Sequence, residues 1–179
     1  MNSFVSTADF EIKPYDIPAL TNPQAGLSSQ FTAFIAREQE LQLKKILGLK
    51  LYKEFETGLG EVTPADKWKN LRDGAEYECD GKLYEWVGLQ KALVPYIYAR
   101  WLRETYDSVN GNGVTVAKVE NAEVISPSLR ITKAWNEFDS YIGSCSRKEN
   151  TLYGFLDANE SDYRSLDFCP VGRMNILDL

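Results

Sequence analysis

Six carboxylates, Asp66, Asp73, Glu76, Glu78, Asp80 and Glu85, crowd one stretch of the chain. Two carboxyl groups facing each other across a cleft can serve as general acid and base, the chemistry of glycoside hydrolysis. Spacing along the chain does not place any two of these face to face, and the calcium-loop pattern D-x-[DN]-x-[DN]-G is missing. There is no histidine in the sequence. Ser-His-Asp and Cys-His centres, His-containing zinc sites and ordinary haem ligation are therefore excluded. Cys79, Cys145 and Cys169 are an odd set at wide spacing, without a CxxC. The opening residues Met1–Val5 lack a basic and apolar leader pattern, so the thiols are expected to be reduced in a cytosol. Gly58-Leu59-Gly60 and Gly111-Asn112-Gly113 match neither a dinucleotide fingerprint nor a P-loop. No catalytic, cofactor or metal residue is assigned, and no cofactor is expected.

Interleaved aromatic and basic residues at Tyr96, Tyr98, Arg100, Trp101 and Arg103 have the flavour of a base-stacking platform. They fall in the most apolar stretch of the chain, which favours core or subunit interface. Lys plus Arg number 20 against 26 Asp plus Glu, a net charge of −6 over 179 residues. A tight nucleic-acid clamp needs the opposite balance. Hydrophobic residues make up 44% and charged residues 26%, ordinary for one globular domain and too apolar for disorder. The longest apolar run, Leu89–Leu102, is interrupted by Lys91, Pro95 and Arg100, too short to span a bilayer. No membrane partner is expected.

The elements that must hold these residues read as mainly α, a small helical bundle with a β-hairpin insertion and extended N- and C-terminal arms. Residues 1–27 form the first arm: Pro14, Pro18, Pro23 and Gly26 oppose helix, yet Phe4, Val5, Phe10, Ile12, Tyr15, Ile17 and Leu20 are apolar. Such an arm must pack on its own domain or on a neighbour. The helical domain covers 28–158. Ser28-Ser29 offers an N-cap to a helix over 30–47, which Gly48 stops. Phe31, Phe34, Ile35, Leu41 and Ile46 share one arc of it, mixed with Glu38, Gln42 and Lys45. That mixture marks either a half-covered helix or a polar seam at an interface. A second helix runs over 49–56 and ends at Gly58 and Gly60. Thr63-Pro64 starts another, with Pro64 at its first position and Trp68 and Leu71 inward. Asp80-Gly81 between two short runs predicts a hairpin over 75–86, with Tyr77 and Tyr84 paired across it. Residues 87–106 are apolar around nearly the whole circumference, as in the middle of a bundle, with Pro95 kinking the helix. Val114–Val119 alternates like a short strand over 114–119. Ser126-Pro127 opens a helix whose Ile131, Ala134, Trp135, Phe138, Tyr141 and Ile142 form the cleanest stripe, ended by Gly143. Thr151–Leu156 reads as a helical turn. The C-terminal arm, 159–179, is again too apolar for a solvated tail.

Three runs carry a resemblance: Phe34-Ile35-Ala36-Arg37-Glu38-Gln39-Glu40, Leu47-Gly48-Leu49-Lys50-Leu51-Tyr52 and Trp68-Lys69-Asn70-Leu71-Arg72-Asp73-Gly74. With the hairpin, the aromatic helix 88–102, Ala134-Trp135-Asn136 and the Asn-Ile-Leu ending, residues 28–179 resemble the head–tail connector (adaptor) ring proteins of tailed phages. The branch is that of phages of Bacteroides-type hosts, including crAss-like phages. The resemblance implies a structural subunit with no catalysis. It implies a homo-oligomeric ring, commonly twelve-fold, beneath the portal protein and above a further tail or ring protein. DNA would pass through its channel without specific binding, which an acidic protein suits. The location implied is the virion head–tail interface, with assembly in the host cytoplasm.

Expected intersubunit contacts are Phe4, Phe10, Tyr15, Val114, Val116, Tyr163, Phe168, Met174, Ile176 and Leu177. Strand addition by 114–119 or by the C-terminal segment is one mode. Two rival functions remain: a carboxylate-dependent hydrolase at the acidic hairpin, and a small monomeric adaptor binding one protein through its aromatic surface. On the ring reading, deleting residues 170–179 weakens assembly while the monomer stays folded. Size-exclusion chromatography with circular dichroism checks this, and an unaffected ring removes that arm from the interface.

Overall fold

The structure is a computed structural model and describes residues 3–17, 27–106, 127–144 and 146–163. It is mainly helical, with one two-stranded antiparallel hairpin. The order is a 3-10 turn Thr7–Phe10, α1 Leu27–Leu59, α2 Asp66–Asp73, β1 Ala75–Cys79, β2 Lys82–Trp86, α3 Leu89–Tyr106, α4 Pro127–Ile142 and α5 Leu152–Ala158. The expected strand at Val114–Val119 lies outside the described residues, as do Phe168, Met174, Ile176 and Leu177 of the C-terminal arm.

α3 is the axis. Leu89, Ala92, Leu93, Tyr96, Ile97, Tyr98 and Ala99 are all buried, as a helix apolar on every side requires. Its longest packing is against α4, and α1 and α2 cover other sides. From α4 it receives Ile131, Ala134, Phe138 and Ile142, the stripe legible in the sequence. α3 runs through Pro95 without losing its helical assignment.

α1 begins at Leu27, earlier than the serine cap suggests; Ser28 is already helical, and the Thr32 hydroxyl donates to its carbonyl at 2.8 Å. Gly48 interrupts it with φ 71° and ψ 160°, so two helical segments meet at a break. The second segment passes through Gly58 and ends at Leu59, with the Gly60 N–H returning to the Glu56 and Thr57 carbonyls. Gly58 is retained in the helix because the Trp68 indole lies where a side chain would be: a Cβ there would be 1.9 Å from Nε1. That docking also sets the start of α2. Ala65 is its extended N-cap, so Pro64 stands outside the helix and not at its first position.

Leu41 is exposed, contrary to the arc expected for it. The buried face of α1 is rotated toward Gln39, Leu43 and Leu47 because the N-terminal segment lies on that flank. The Gln39 side-chain carbonyl accepts from the Ser3 hydroxyl at 3.1 Å and from the Phe4 and Val5 N–H groups at 3.3 and 3.2 Å. Val5 and Phe10 then enter the core, with the Phe10 ring edge-on to Phe31 at 4.9 Å. Of the two partners left open for the arm, its own domain takes the described part.

The hairpin follows the Asp-Gly signal. Asp80 and Gly81 both have positive φ, 52° and 72°, as a two-residue turn matched to strand twist needs. Tyr77 faces Tyr84 across the ladder. The two ends of the hairpin pass each other almost in contact. A Cβ on Gly74 would sit 2.5 Å from the Trp86 carbonyl oxygen, and one on Gly88 2.4 Å from the Asp73 carbonyl carbon. Both glycines also have positive φ, 104° and 90°. This is why α3 starts at Leu89 and not at Val87.

Gly74→Ala and Gly88→Ala should each cost roughly 3 kcal/mol or more, the sum of backbone overlap and strain. Gly81→Ala, with φ 72° but nothing within 4 Å, should cost only about 1 kcal/mol. Urea midpoints of the three variants check the ranking.

Candidate functional site

The acidic stretch resolves into two groups. Asp66 is paired with Lys69 at 3.1 Å and Asp73 with Arg72 at 2.6 Å, so both are locally neutralised. Glu76, Glu78 and Glu85 project from the hairpin with Leu83. Strand alternation puts these four on one face, opposite the Tyr77, Tyr84 and Trp86 face. The register sets Glu76 directly across from Glu85 and Glu78 across from Leu83. All four are exposed, Leu83 at 66%. A like-charge cross-strand pair in water destabilises a hairpin modestly. The three carboxylates stand on an exposed sheet face. Among the described residues no group of three carboxylates or thiols is placed to hold a metal ion.

The inner face holds the hairpin down. The Tyr77 hydroxyl donates to the Lys148 carbonyl and accepts from the Thr151 N–H at 3.2 Å. The Trp86 indole donates to the Leu71 carbonyl at 3.0 Å and stacks on Phe155. Along the β2 edge, the Asn150 side chain accepts from the Glu85 N–H at 2.9 Å, and the Tyr84 hydroxyl donates to Glu149 at 3.2 Å. The outer face is thereby presented on a rigid support.

On either side of the break in α1, Lys45, Lys50 and Lys53 are exposed, as are Leu41 and Leu49, each 56%, and Lys53 lines a shallow depression with Glu54 and Glu61. Lys44 differs: it is paired with Glu40 and sits over the Tyr52 ring. None of Lys45, Lys50, Lys53, Glu76, Glu78 and Glu85 has an ion-pair partner among the described residues.

One concave feature is a cleft of about 440 Å³ between the N-terminal segment and α4, and another, of about 450 Å³, lies at the hairpin turn beside Cys79, Asp80, Tyr84 and Lys148. Lys13, Arg130 and Lys133 supply the positive charge of the first, and Tyr15, Tyr98 and Glu137 line it. Both the Tyr15 and Tyr141 hydroxyls donate to Glu137. That carboxylate is engaged in holding the arm to α4.

The polar residues of α1 form a seam, and it lies inside the chain. Glu38 and Gln42 are buried, whereas Lys45 faces solvent. Glu38 accepts from the Tyr96 hydroxyl and the Arg100 Nε, both at 3.1 Å, and from Arg37 at 3.2 Å. Arg37 continues to Glu104 at 2.9 Å. Tyr96 and Tyr98 are buried and Arg100 is held by Glu38, so the aromatic-basic run of α3 is core and ion network rather than an open stacking platform.

The expected interface residues separate accordingly. Phe10 and Tyr163 are corrected to core residues of this chain, 0% and 2% exposed, with no surface left for a neighbour. The Tyr163 hydroxyl donates to the Lys67 carbonyl at 2.6 Å and its ring meets Trp68 and Phe155. Phe4 and Tyr15 are half-buried, on Phe55 and Tyr98 respectively. Val114, Val116, Phe168, Met174, Ile176 and Leu177 lie outside the described residues. The outward face of the hairpin is available from strand alternation at Glu76, Glu78 and Glu85.

Burial, with the bond to Glu137 second, pushes the Tyr141 phenol up to about 12 from its ordinary value of 10.0. Tyr15, Tyr96 and Tyr163 are raised too, burial again leading. The native state therefore holds these protons more tightly than the unfolded chain. Their stabilisation is complete below the unfolded value and is lost as pH rises through the native one. Unfolding free energy should fall between about pH 10 and 12, and Tyr141→Phe should make that fall shallower. Urea titrations followed by circular dichroism across this window check it; an identical slope in the variant contradicts it.

No protein-family model, curated protein or solved structure matches the chain.

Proposed function

We propose that the chain is a structural subunit of a phage head–tail connector ring, joining the portal to the tail and extending the DNA channel. The observation that carries this reading is the exposed outer face of the hairpin, Glu76, Glu78, Leu83 and Glu85, held from behind by the Tyr77 and Trp86 bonds and without an ion-pair partner among the described residues. Contacts between different faces of successive copies run head to tail, and such contacts close into rings when the rotation per copy divides a full turn. The hairpin face carries exposed Leu83 among its carboxylates, the apolar centre with a charged surround that protein interfaces use.

The sequence resemblance supports the same reading, because its runs occupy consecutive elements of one packed unit. Phe34–Glu40 lies on α1, Leu47–Tyr52 spans its break, and Trp68–Gly74 covers most of α2 and the entry to the hairpin. Within Ala134-Trp135-Asn136 of α4, Ala134 is buried and the Trp135 ring is 5.8 Å from Tyr96 of α3. In this reading the arms beyond the described residues add contact area, the negative net charge lets DNA slide, and the portal and a further tail or ring protein bind the two ends.

Light scattering of the purified chain across concentration, alone and with the portal protein, tests the reading. A closed ring of many copies is expected in at least the second condition. A monomer in both conditions overturns it.

A further inference from the structure

We infer that the cleft between the N-terminal segment and α4 binds a phosphate monoester, with Lys13, Arg130 and Lys133 as the groups that hold it. The inference stands apart from the ring reading. The cleft measures about 440 Å³, within the usual range of a small-ligand pocket. Lys13 enters from the N-terminal segment, and Arg130 and Lys133 from α4, so cations of two separate elements line one space.

Three observations argue for it. The first is charge without a partner. Among the described residues none of the three cations makes an ion pair or a hydrogen bond, on a chain whose net charge is −6. Asp16 and Glu137 also line the cleft, and three cations less two carboxylates leave the lining at +1. The second is the fate of Glu137. It stands four residues after Lys133 on α4, the spacing at which a helix pairs opposite charges. That pair is absent, and both carboxylate oxygens are taken by phenols: the Tyr15 hydroxyl donates to Oε2 and the Tyr141 hydroxyl to Oε1 at 2.9 Å. Two tyrosines thus occupy the acid that would neutralise Lys133, and the lysine is left to the cleft. The third is a wall already in place. Tyr98 and Ala134 are buried, and the Tyr15 ring lies edge-on to Tyr98 at 5.2 Å. With its ring on Tyr98 and its hydroxyl on Glu137, Tyr15 does not have to order itself on binding, which removes an entropic cost of association.

Other concave features of the chain do not offer this combination. The cleft at the hairpin turn presents Arg147 and Lys148, but these are already matched by Asp139 and Asp157. Lys53 and Lys91 each line a depression as its single cation, beside Glu54 and Glu61 in one and Asp9 and Asp73 in the other. The charge count also selects the ligand. A phosphate monoester carries about two negative charges at neutral pH and three acceptor oxygens, whereas a carboxylate brings one charge and two oxygens. Arg130 can take two of the phosphate oxygens at once, and the lysines act as point charges beside it. Pro14, Tyr15, Tyr98 and Ala134 then face the organic part of the ester.

Isothermal titration calorimetry of the full chain at low salt tests the inference, with a nucleoside monophosphate, inorganic phosphate and acetate as probes. One site per chain is expected for the nucleoside monophosphate, with a Kd of about 1 mM or tighter. Inorganic phosphate should bind the same site, and acetate at least about tenfold more weakly than either. Arg130→Gln with Lys133→Gln, both exposed positions, should weaken binding at least about tenfold. Lys45→Gln with Lys50→Gln removes two cations elsewhere on the surface and should leave it unchanged. Asp16→Asn gives a change of opposite sign. It removes the carboxylate that no hydrogen bond or ion pair engages among the described residues, and should tighten binding about threefold, a gain that a misfolded variant does not produce. Absence of binding to both phosphate compounds overturns the inference. So does acetate binding as tightly as phosphate, or equal weakening by the two double variants, or an affinity that Asp16→Asn leaves unchanged or lowers. A short DNA duplex is titrated last: a duplex bound through Arg130 and Lys133 while neither phosphate compound binds overturns the monoester. None of these results bears on ring formation, which light scattering reads separately.

Discussion

The crossing of the chain at Gly74 and Gly88 is the constraint on which the rest depends. At that point the end of α2, both strands and the start of α3 lie within van der Waals reach of one another, with no room for a single extra carbon on either glycine. Because the neck is closed, Trp86 is delivered to Leu71 and its indole N–H finds that residue's carbonyl. Tyr77 is delivered to the 148–151 segment in the same way, which anchors α5. The hairpin is therefore not an appendage on a flexible stalk. Its inner face is part of the core, and the outward aim of Glu76, Glu78 and Glu85 follows from that anchoring and from the two-residue alternation of a strand.

The interior is held by a different device. A carboxylate at Glu38, 2% exposed, costs a great deal to bury alone. Here it receives a phenol and two guanidinium groups, and the elements joined are α1 and α3. Asp139 is buried likewise and is met by Arg147 at 3.0 Å, which ties the end of α4 to the turn before α5. Gln39 uses one carbonyl oxygen to fix three groups of the N-terminal segment. In each case a buried polar group on a helix captures a neighbouring segment, so polar satisfaction and packing select the same arrangement.

Much of this was legible in the sequence. The hairpin was readable because Asp80-Gly81 can adopt positive φ at both turn residues, which few dipeptides do cheaply. The centrality of α3 was readable because an all-round apolar helix has no solvent face. The stripe of α4 and the break at Gly48 followed from periodicity and from glycine's conformational freedom. Each of these is a local property, set by residues close together in the chain. The boundaries expected at Ser28, Pro64 and Gly58 moved. At Gly58 the reason is the Trp68 indole, which packs where a side chain would stand, a contact that periodicity along one helix does not reveal.

What only the tertiary structure decided is which side of each element meets solvent. Leu41 and Glu38 lie near one another on the arc of α1, yet the leucine is exposed and the glutamate buried. The reason is that Arg37, Tyr96 and Arg100 converge on Glu38, while the arm on Gln39 covers the opposite flank. The same holds for Phe10 and Tyr163, whose apolar character alone was compatible with a neighbouring subunit or with their own core. Composition determined that they would be buried; only the path of the chain, bringing Phe31 and Lys67 to them, determined by what. Local patterning sets which conformations and faces a segment can offer, and burial is settled by partners far along the chain.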